Sequence, residues 1–239
     1  MSHDAVQFDL ESLLKTLDSG LAKFEKSFPL DDFAKGHYQQ HPFVTLLTCC
    51  DSRVSPSMFG DTFNRIFCVE NIGNQLKNAE GSVLYGLLHL HTPLMIVAGH
   101  SECGAIKAAS SSDYAGEPAA LVQELNTVKG SLEKACSGVK IDLAAGSLSQ
   151  AQLAELNIDV QVDMLLAHPD IAPLVEKKAL QIIGVFMDLH NIYGEGYGKV
   201  YTVNVNGVKD AEAIKQIDTI GGFAAKARRL PKSTGGIIE

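Results

Sequence analysis

Phe43-Val44-Thr45-Leu46-Leu47-Thr48-Cys49-Cys50-Asp51-Ser52-Arg53 opens the stretch that decides the fold. Its first six residues are apolar or β-branched strand formers, the pattern of a strand covered on both faces. The run stops at Cys49 and gives way to a polar, turn-prone segment. Two further segments share this form: residues 66–69 (IFCV), ending at Glu70-Asn71-Ile72-Gly73-Asn74, and residues 94–98 (LMIVA), ending at Gly99-His100. Residues 82–90, between them, have helical spacing. Continuous apolar strands alternating with helices predict an α/β fold, a central, mostly parallel β-sheet flanked by helices.

Beyond this stretch, residues 117–136 and 149–168 read as helices, the second stopped by Pro169, which disfavours helix in the residue before it. Residues 180–189 and 199–205 read as strands. The loop between them, HNIYGEGYG, is longer than the roughly 2–5 residues of a plain hairpin. Residues 209–217 read as a helix, and residues 228–239 as a tail that is ordered only if something holds it. On the other side, Leu10, Leu13, Leu14, Leu17, Leu21, Phe24 and Phe28 fall at gaps of three and four and form one apolar stripe of a helix. The expected organisation is an N-terminal helical arm, residues 1–41, that packs on the main body or on a partner, followed by a single α/β domain, residues 42–239.

A chain of 239 residues suits one sizeable core with a terminal extension. Its net charge of -8 repels nucleic acid and anionic membrane, which argues against both as partners. No window is long and apolar enough to cross a bilayer, and the first residues lack a basic n-region and an unbroken apolar stretch, so a cytoplasmic location is expected. Five cysteines, an odd number, argue against a disulfide framework and give weight to metal or catalytic roles.

Cys49, His100 and Cys103 lie at the carboxyl ends of two predicted strands, where open parallel sheets form their ligand sites. Two thiolates and one imidazole suit zinc, and three protein ligands leave a fourth position for water, as in catalytic sites. Cys50 points to the opposite face of an extended backbone and is expected as a small packed residue; Cys68 and Cys136 also read as structural. Zinc with two thiolates and a neutral imidazole carries no net charge, so it acidifies water less than a site of three imidazoles. Asp51 and Arg53 follow Cys49 by two and four residues and share its face. The aspartate can accept a hydrogen bond from a water at the ion, and the arginine can hold that carboxylate ionised with a bidentate fork. Asn71, Gly73 and Asn74 are expected to shape a turn near the site. His89 and His91 are expected in packing or helix-end roles.

Cys49-Cys50-Asp51-Ser52-Arg53-Val54, Glu70-Asn71-Ile72-Gly73-Asn74 and Gly99-His100-Ser101-Glu102-Cys103-Gly104 resemble, in order and spacing, the β-class carbonic anhydrases. A weaker likeness in Asn157-Ile158-Asp159-Val160-Gln161-Val162 extends the resemblance to residues 43–205. The resemblance implies reversible hydration of carbon dioxide to bicarbonate and a proton. It implies one Zn2+ per chain on Cys49, His100 and Cys103, a catalytic dyad of Asp51 and Arg53, and Asp51 on the metal only in a closed resting form. It also implies a homodimer or higher homo-oligomer whose helical arms embrace the partner. Gly104 matches a backbone donor near the substrate, and Tyr85 an aromatic residue that lines the neighbouring subunit's pocket.

Two departures stand out: Glu70 replaces a basic residue usual in the family, and no glutamine lies near Thr62. Relatives that hydrolyse carbonyl sulfide or carbon disulfide tend to carry Asn-Ala-Gly-Gly after the second strand, where this chain has Asn71-Ile72-Gly73-Asn74. A non-catalytic zinc- or bicarbonate-binding relative would be expected to lack Asp51 or Arg53, and a thiol redox protein would favour a Cys-x-x-Cys pair, which is absent.

Overall fold

The structure is a computed structural model that describes residues 9–111, 114, 116–137 and 146–231, in two units, Met1–Gln40 and His41–Glu239. In the first unit, Asp9 caps helix α1 (Leu10–Ser27) by accepting the N–H groups of Glu11 and Ser12. The stripe read from the sequence is on this helix, whose Leu10, Leu17 and Leu21 are more than half exposed. A short helix, α2 (Leu30–Ala34), follows, and the Phe28 ring meets Phe24 edge to face and Phe33 at a tilt.

The second unit is built on five strands: β1 (Val44–Cys49), β2 (Ile66–Asn71), β3 (Leu94–His100), β4 (Gln181–Asp188) and β5 (Lys199–Val205). Their spatial order is β2-β1-β3-β4-β5. All neighbours pair in parallel except β4 with β5, so the sheet is mostly parallel, as the apolar runs predicted. Helices α3 (Glu80–Leu84), α4 (Gly104–Ser111), α5 (Ala119–Ala135), α6 (Ser147–Ala167) and α7 (Ala172–Glu176) precede β4, while α8 (Ala211–Lys215) and α9 (Gly222–Ala225) follow β5. Alternation along β1 divides the core. Leu47 and Cys49 face a cluster with Val97, Val128, Ile158 and Phe186, while Val44 and Leu46 face one with Ile96, Val185, Ile214 and Ile220.

Differences from the sequence reading have local causes. Residues 82–90 were expected as one helix; α3 instead passes into a π-helical turn, Tyr85–His89. The Gly86 carbonyl accepts the N–H and Oγ of Thr92, which draws that end of the turn onto the start of β3. α4 and α7 are too short to leave a periodic signal. The tail expected from residue 228 is held at its start: Arg228 N–H donates to Thr202 O, and Arg229 forks onto Asp159. Residues 232–239, the rest of that tail, lie outside the described residues. Among the described residues, no helix is long and apolar enough to cross a membrane.

Candidate metal centre

The chain leaves β1 toward β2 on one side, while β3 lies on β1's other side. The carboxyl ends of β1 and β3 therefore form the switch point of the sheet, where side chains on turns can meet without crossing a strand. Cys49 is the last residue of β1 and His100 the last of β3; Cys103 closes the turn that leads into α4. Their ligand atoms all lie within 4.8 Å of one another, and all three residues are buried.

Several features of this cluster fit a metal ion. The two sulfurs are 3.9 Å apart, close to the roughly 3.8 Å expected for thiolates at ~2.3 Å from one tetrahedral zinc. His100 Nδ1 is 3.0 Å from the Ser101 carbonyl, an acceptor only, so Nδ1 carries the proton and Nε2 a lone pair. Nε2 is buried and has no hydrogen-bond partner. A buried, unpaired nitrogen costs free energy that a ligand would offset. Two buried thiols this close cannot both ionise easily without a cation, so the metal-free pair shares a proton. Cys49 is the acidic member, lowered to about 4 chiefly by the Cys103 S–H and also by the Gly73 N–H. Cys103 is driven up by the same contact and by burial.

Asp51 stands at the edge of the cluster, its Oδ2 3.9 Å from His100 Nε2. Arg53 clamps it with three donors: its backbone N–H and Nε on Oδ1, at 3.0 and 2.9 Å, and Nη2 on Oδ2 at 2.7 Å. That clamp holds the Asp51 carboxyl well below the usual carboxylate range. Arg53 Nη2 also reaches the Glu102 carbonyl, at 3.4 Å, and so ties the dyad to the ligand turn.

The remaining residues singled out from the sequence lie around this centre. Gly104 is the first residue of α4, directly after Cys103, and is exposed. Tyr85 begins the π-helical turn, is 45% exposed, stacks on His89 and meets the Phe67 ring at a tilt. Cys50 is exposed, not packed as expected, because β1 ends one residue earlier and leaves it on an open turn; Cys68 is exposed on the edge strand β2. Glu70 lies exposed on the same strand.

Gly73 was expected to shape a turn near the site; its bond to a ligand sulfur, and the side chains that fix the turn, were not. Gly73, on the turn after β2, donates its N–H to Cys49 Sγ at 3.4 Å. A buried amide network fixes that turn. Gln75 Nε2 and Asn157 Nδ2 both donate to the Gly73 carbonyl, Gln161 Oε1 accepts the Leu76 N–H, and Ser131 donates to Gln75 Oε1. The amides at Asn157 and Gln161 in the α6 motif were the one visible signal, since such side chains in an apolar helix must find partners when buried.

A buried pair of cysteines and a histidine at the switch point of an open sheet, with a clamped carboxylate beside them, defines an α/β protein with a candidate zinc centre. A sequence model described as carbonic anhydrase matches residues 44–198. The chain belongs to this family, and within it to the β class. A carbonic anhydrase of Synechococcus elongatus is 29% identical over 189 residues, covering 72% of this chain and 66% of that protein. One of Mycolicibacterium smegmatis is 33% identical over 120 residues, covering 46% and 58%. The chain thus spans less than two thirds of the length of these relatives. In fold it is similar to one of two tetrameric β-carbonic anhydrases of the ascomycete Sordaria macrospora, with a TM-score of 0.65, 21% identity, and coverage of 82% of this chain and 97% of that one.

Proposed function

We propose that the chain is a zinc enzyme that hydrates carbon dioxide reversibly to bicarbonate and a proton. The observation that carries this reading is the buried Cys49–His100–Cys103 cluster, with an unpaired Nε2, beside the Asp51–Arg53 clamp. Cys49, His100 and Cys103 would hold one Zn2+ per chain, which would supply a water acidified toward neutrality as the nucleophile. Arg53 keeps Asp51 ionised and fixes its plane. Asp51 accepts a hydrogen bond from the attacking water and turns a lone pair toward the carbon of carbon dioxide. The oxygen adds to that carbon to give bicarbonate, and the second proton of the water passes to solvent. The 3.9 Å between Asp51 Oδ2 and His100 Nε2 supports a closed resting form in which Asp51 would approach the metal itself. Gly104 offers its backbone N–H toward substrate.

The exposed stripe of α1 supports an arm-exchanged homodimer or higher assembly, with Tyr85 lining the neighbouring subunit's pocket. The arm and the α/β domain, residues 1–41 and 42–239, would act as separate pieces of that assembly. Five unpaired cysteines support a reducing, cytoplasmic setting.

Stopped-flow carbon dioxide hydration, read beside zinc content, tests the proposal. The parent chain is expected to carry one zinc and to hydrate carbon dioxide; Cys103→Ser is expected to lose both. Parent-level hydration by a zinc-free Cys103→Ser protein would end this reading. Sulfide release from carbonyl sulfide, without carbon dioxide hydration, would move the substrate to the sulfur-containing analogues.

A further inference from the structure

The ligand turn from His100 to Cys103 does not hold itself. Glu102 sits in the left-handed region at φ 53°, a conformation that costs a non-glycine residue on the order of 1 kcal/mol. Ser101, fully buried between the two ligands, is the point at which the turn is tied down. Its N–H donates to Met187 O at 3.0 Å, and its Oγ accepts the Leu189 N–H at 2.9 Å. The same Oγ lies 2.8 Å from His190 Nδ1, and its carbonyl faces His100 Nδ1 at 3.0 Å. Every polar atom of Ser101 thus joins either the end of β4 or the ligand ring.

His190 is itself placed with care by the chain. The buried Asp188 carboxylate accepts the N–H groups of His190, Ile192 and Tyr193, at 3.1, 2.9 and 2.9 Å. This folds the loop after β4 back over its own first residues and delivers the imidazole to Ser101. The carboxylate accepts only backbone donors in these contacts, so its part is to shape the loop.

We infer that His190 is a positioning residue for the metal centre: its imidazole clamps Ser101, and the Ser101 carbonyl fixes the tautomer and ring plane with which His100 offers Nε2 to the ion. His190 bonds to Ser101 and acts on the centre through that one intervening residue. Groups that orient a metal-binding histidine through its other nitrogen set ligand basicity and geometry, and their loss typically weakens metal binding by roughly 10–100-fold. One residue further out, His190 belongs at the lower end of that range.

The inference rests on the zinc reading above, and the test separates the two. Zinc affinity of the full chain is measured by competition with a chromophoric chelator, alongside thermal melting of the metal-free protein. His190→Ala is expected to bind zinc about tenfold more weakly while the metal-free protein melts within about 2 °C of the parent. His190→Asn, whose amide can still meet the Ser101 hydroxyl, is expected to recover most of the affinity. Ser101→Ala probes the same link from the other side and is expected to weaken zinc at least as much as His190→Ala. Cobalt(II) loaded into the parent and into His190→Ala should give different visible spectra, because the His100 ring is no longer held in one plane. Parent-like zinc affinity in either alanine variant would overturn the inference. So would equal losses in His190→Ala and His190→Asn that merely track a loss of metal-free stability. A parent chain that binds no stoichiometric zinc would instead remove the metal reading, and this inference with it.

Discussion

Arg53 gives three donors to a single carboxylate two residues away, more than a surface ion pair uses. The consequence is a sign. Asp51 is depressed below its ordinary value, chiefly by the Arg53 side-chain hydrogen bonds, so its share of folding stability is present above about pH 4 and is lost only as pH falls through the folded value. Asp51 therefore stays ionised throughout the neutral range, and any inflection of the hydration rate near neutrality belongs to another group. Arg53→Ala should free the carboxylate to swing and let its pKa climb back toward the ordinary value. Hydration is expected to fall by about 10²–10³-fold with zinc content unchanged, measured by stopped flow and metal analysis on the same preparation. Arg53→Lys should recover only part of the loss, since an ammonium cannot fork. A variant that lost its zinc as well would assign Arg53 a role in building the ligand turn. The dyad was readable from sequence because both members lie in one short segment. The Gly73 N–H on Cys49 and the His190 clamp on Ser101 join residues 24 and 89 positions apart, and no local pattern marks either meeting.

At the scale of elements, the separation between α6 and the sheet is set by two glycines. A Cβ at Gly184 would stand 2.6 Å from Ile158 Cγ2 and 2.9 Å from Asn204 Cβ, and one at Gly99 would stand 2.9 Å from Ile158. Ile158 thus presses into the two parallel strands β3 and β4 where they have no side chains, which brings α6 close enough for its amides to reach the turn after β2. Gly184→Ala should destabilise the fold by about 1–3 kcal/mol through overpacking, read as a lower urea midpoint with an unchanged slope. Ile158→Ala alone should cost roughly 2–5 kcal/mol, and in the Gly184→Ala background distinctly less, because the cavity accepts the added methyl. Additive losses would place the strain elsewhere. Continuous apolar runs made the strands legible, and helical spacing made α1, α5 and α6 legible to within a few residues. The same signals missed the π-helical turn, beside which Thr92 donates to the Gly86 carbonyl from outside the helix itself. They also placed Cys50 in a packed position, because an alternation argument does not say where the strand ends.

Across the whole molecule, α6 acts as a polar spine inside an apolar core. Asn157 and Gln161 hold the turn that supports Cys49, Asp159 holds Asn204 and the Arg229 fork, and Glu155 meets the far side. Glu155 is 2% exposed, accepts the Tyr193 hydroxyl and the Leu230 N–H, and has Arg229 Nε at 3.5 Å. Arg229 spends its fork on Asp159, at 2.8 and 3.1 Å, so the guanidinium compensates Glu155 only partly. Burial, reinforced by the Asp159 charge, raises Glu155 from 4.5 to about 7. A raised folded pKa means that the native protein binds this proton more tightly than the unfolded chain. The stabilisation is therefore complete below about pH 4.5 and is lost as pH climbs through about 7, a change on the order of 3 kcal/mol over that window. Glu155→Gln keeps an acceptor for Tyr193 and Leu230 but cannot titrate. Urea unfolding of both proteins between pH 4.5 and 8 should show the parent losing stability relative to the variant as pH rises, with most of the change complete by pH 8. Curves that stay parallel would mean that Arg229 neutralises both carboxylates. In that case the segment after β5 would be held to the spine by a fixed ion triad, with no proton taken up on folding.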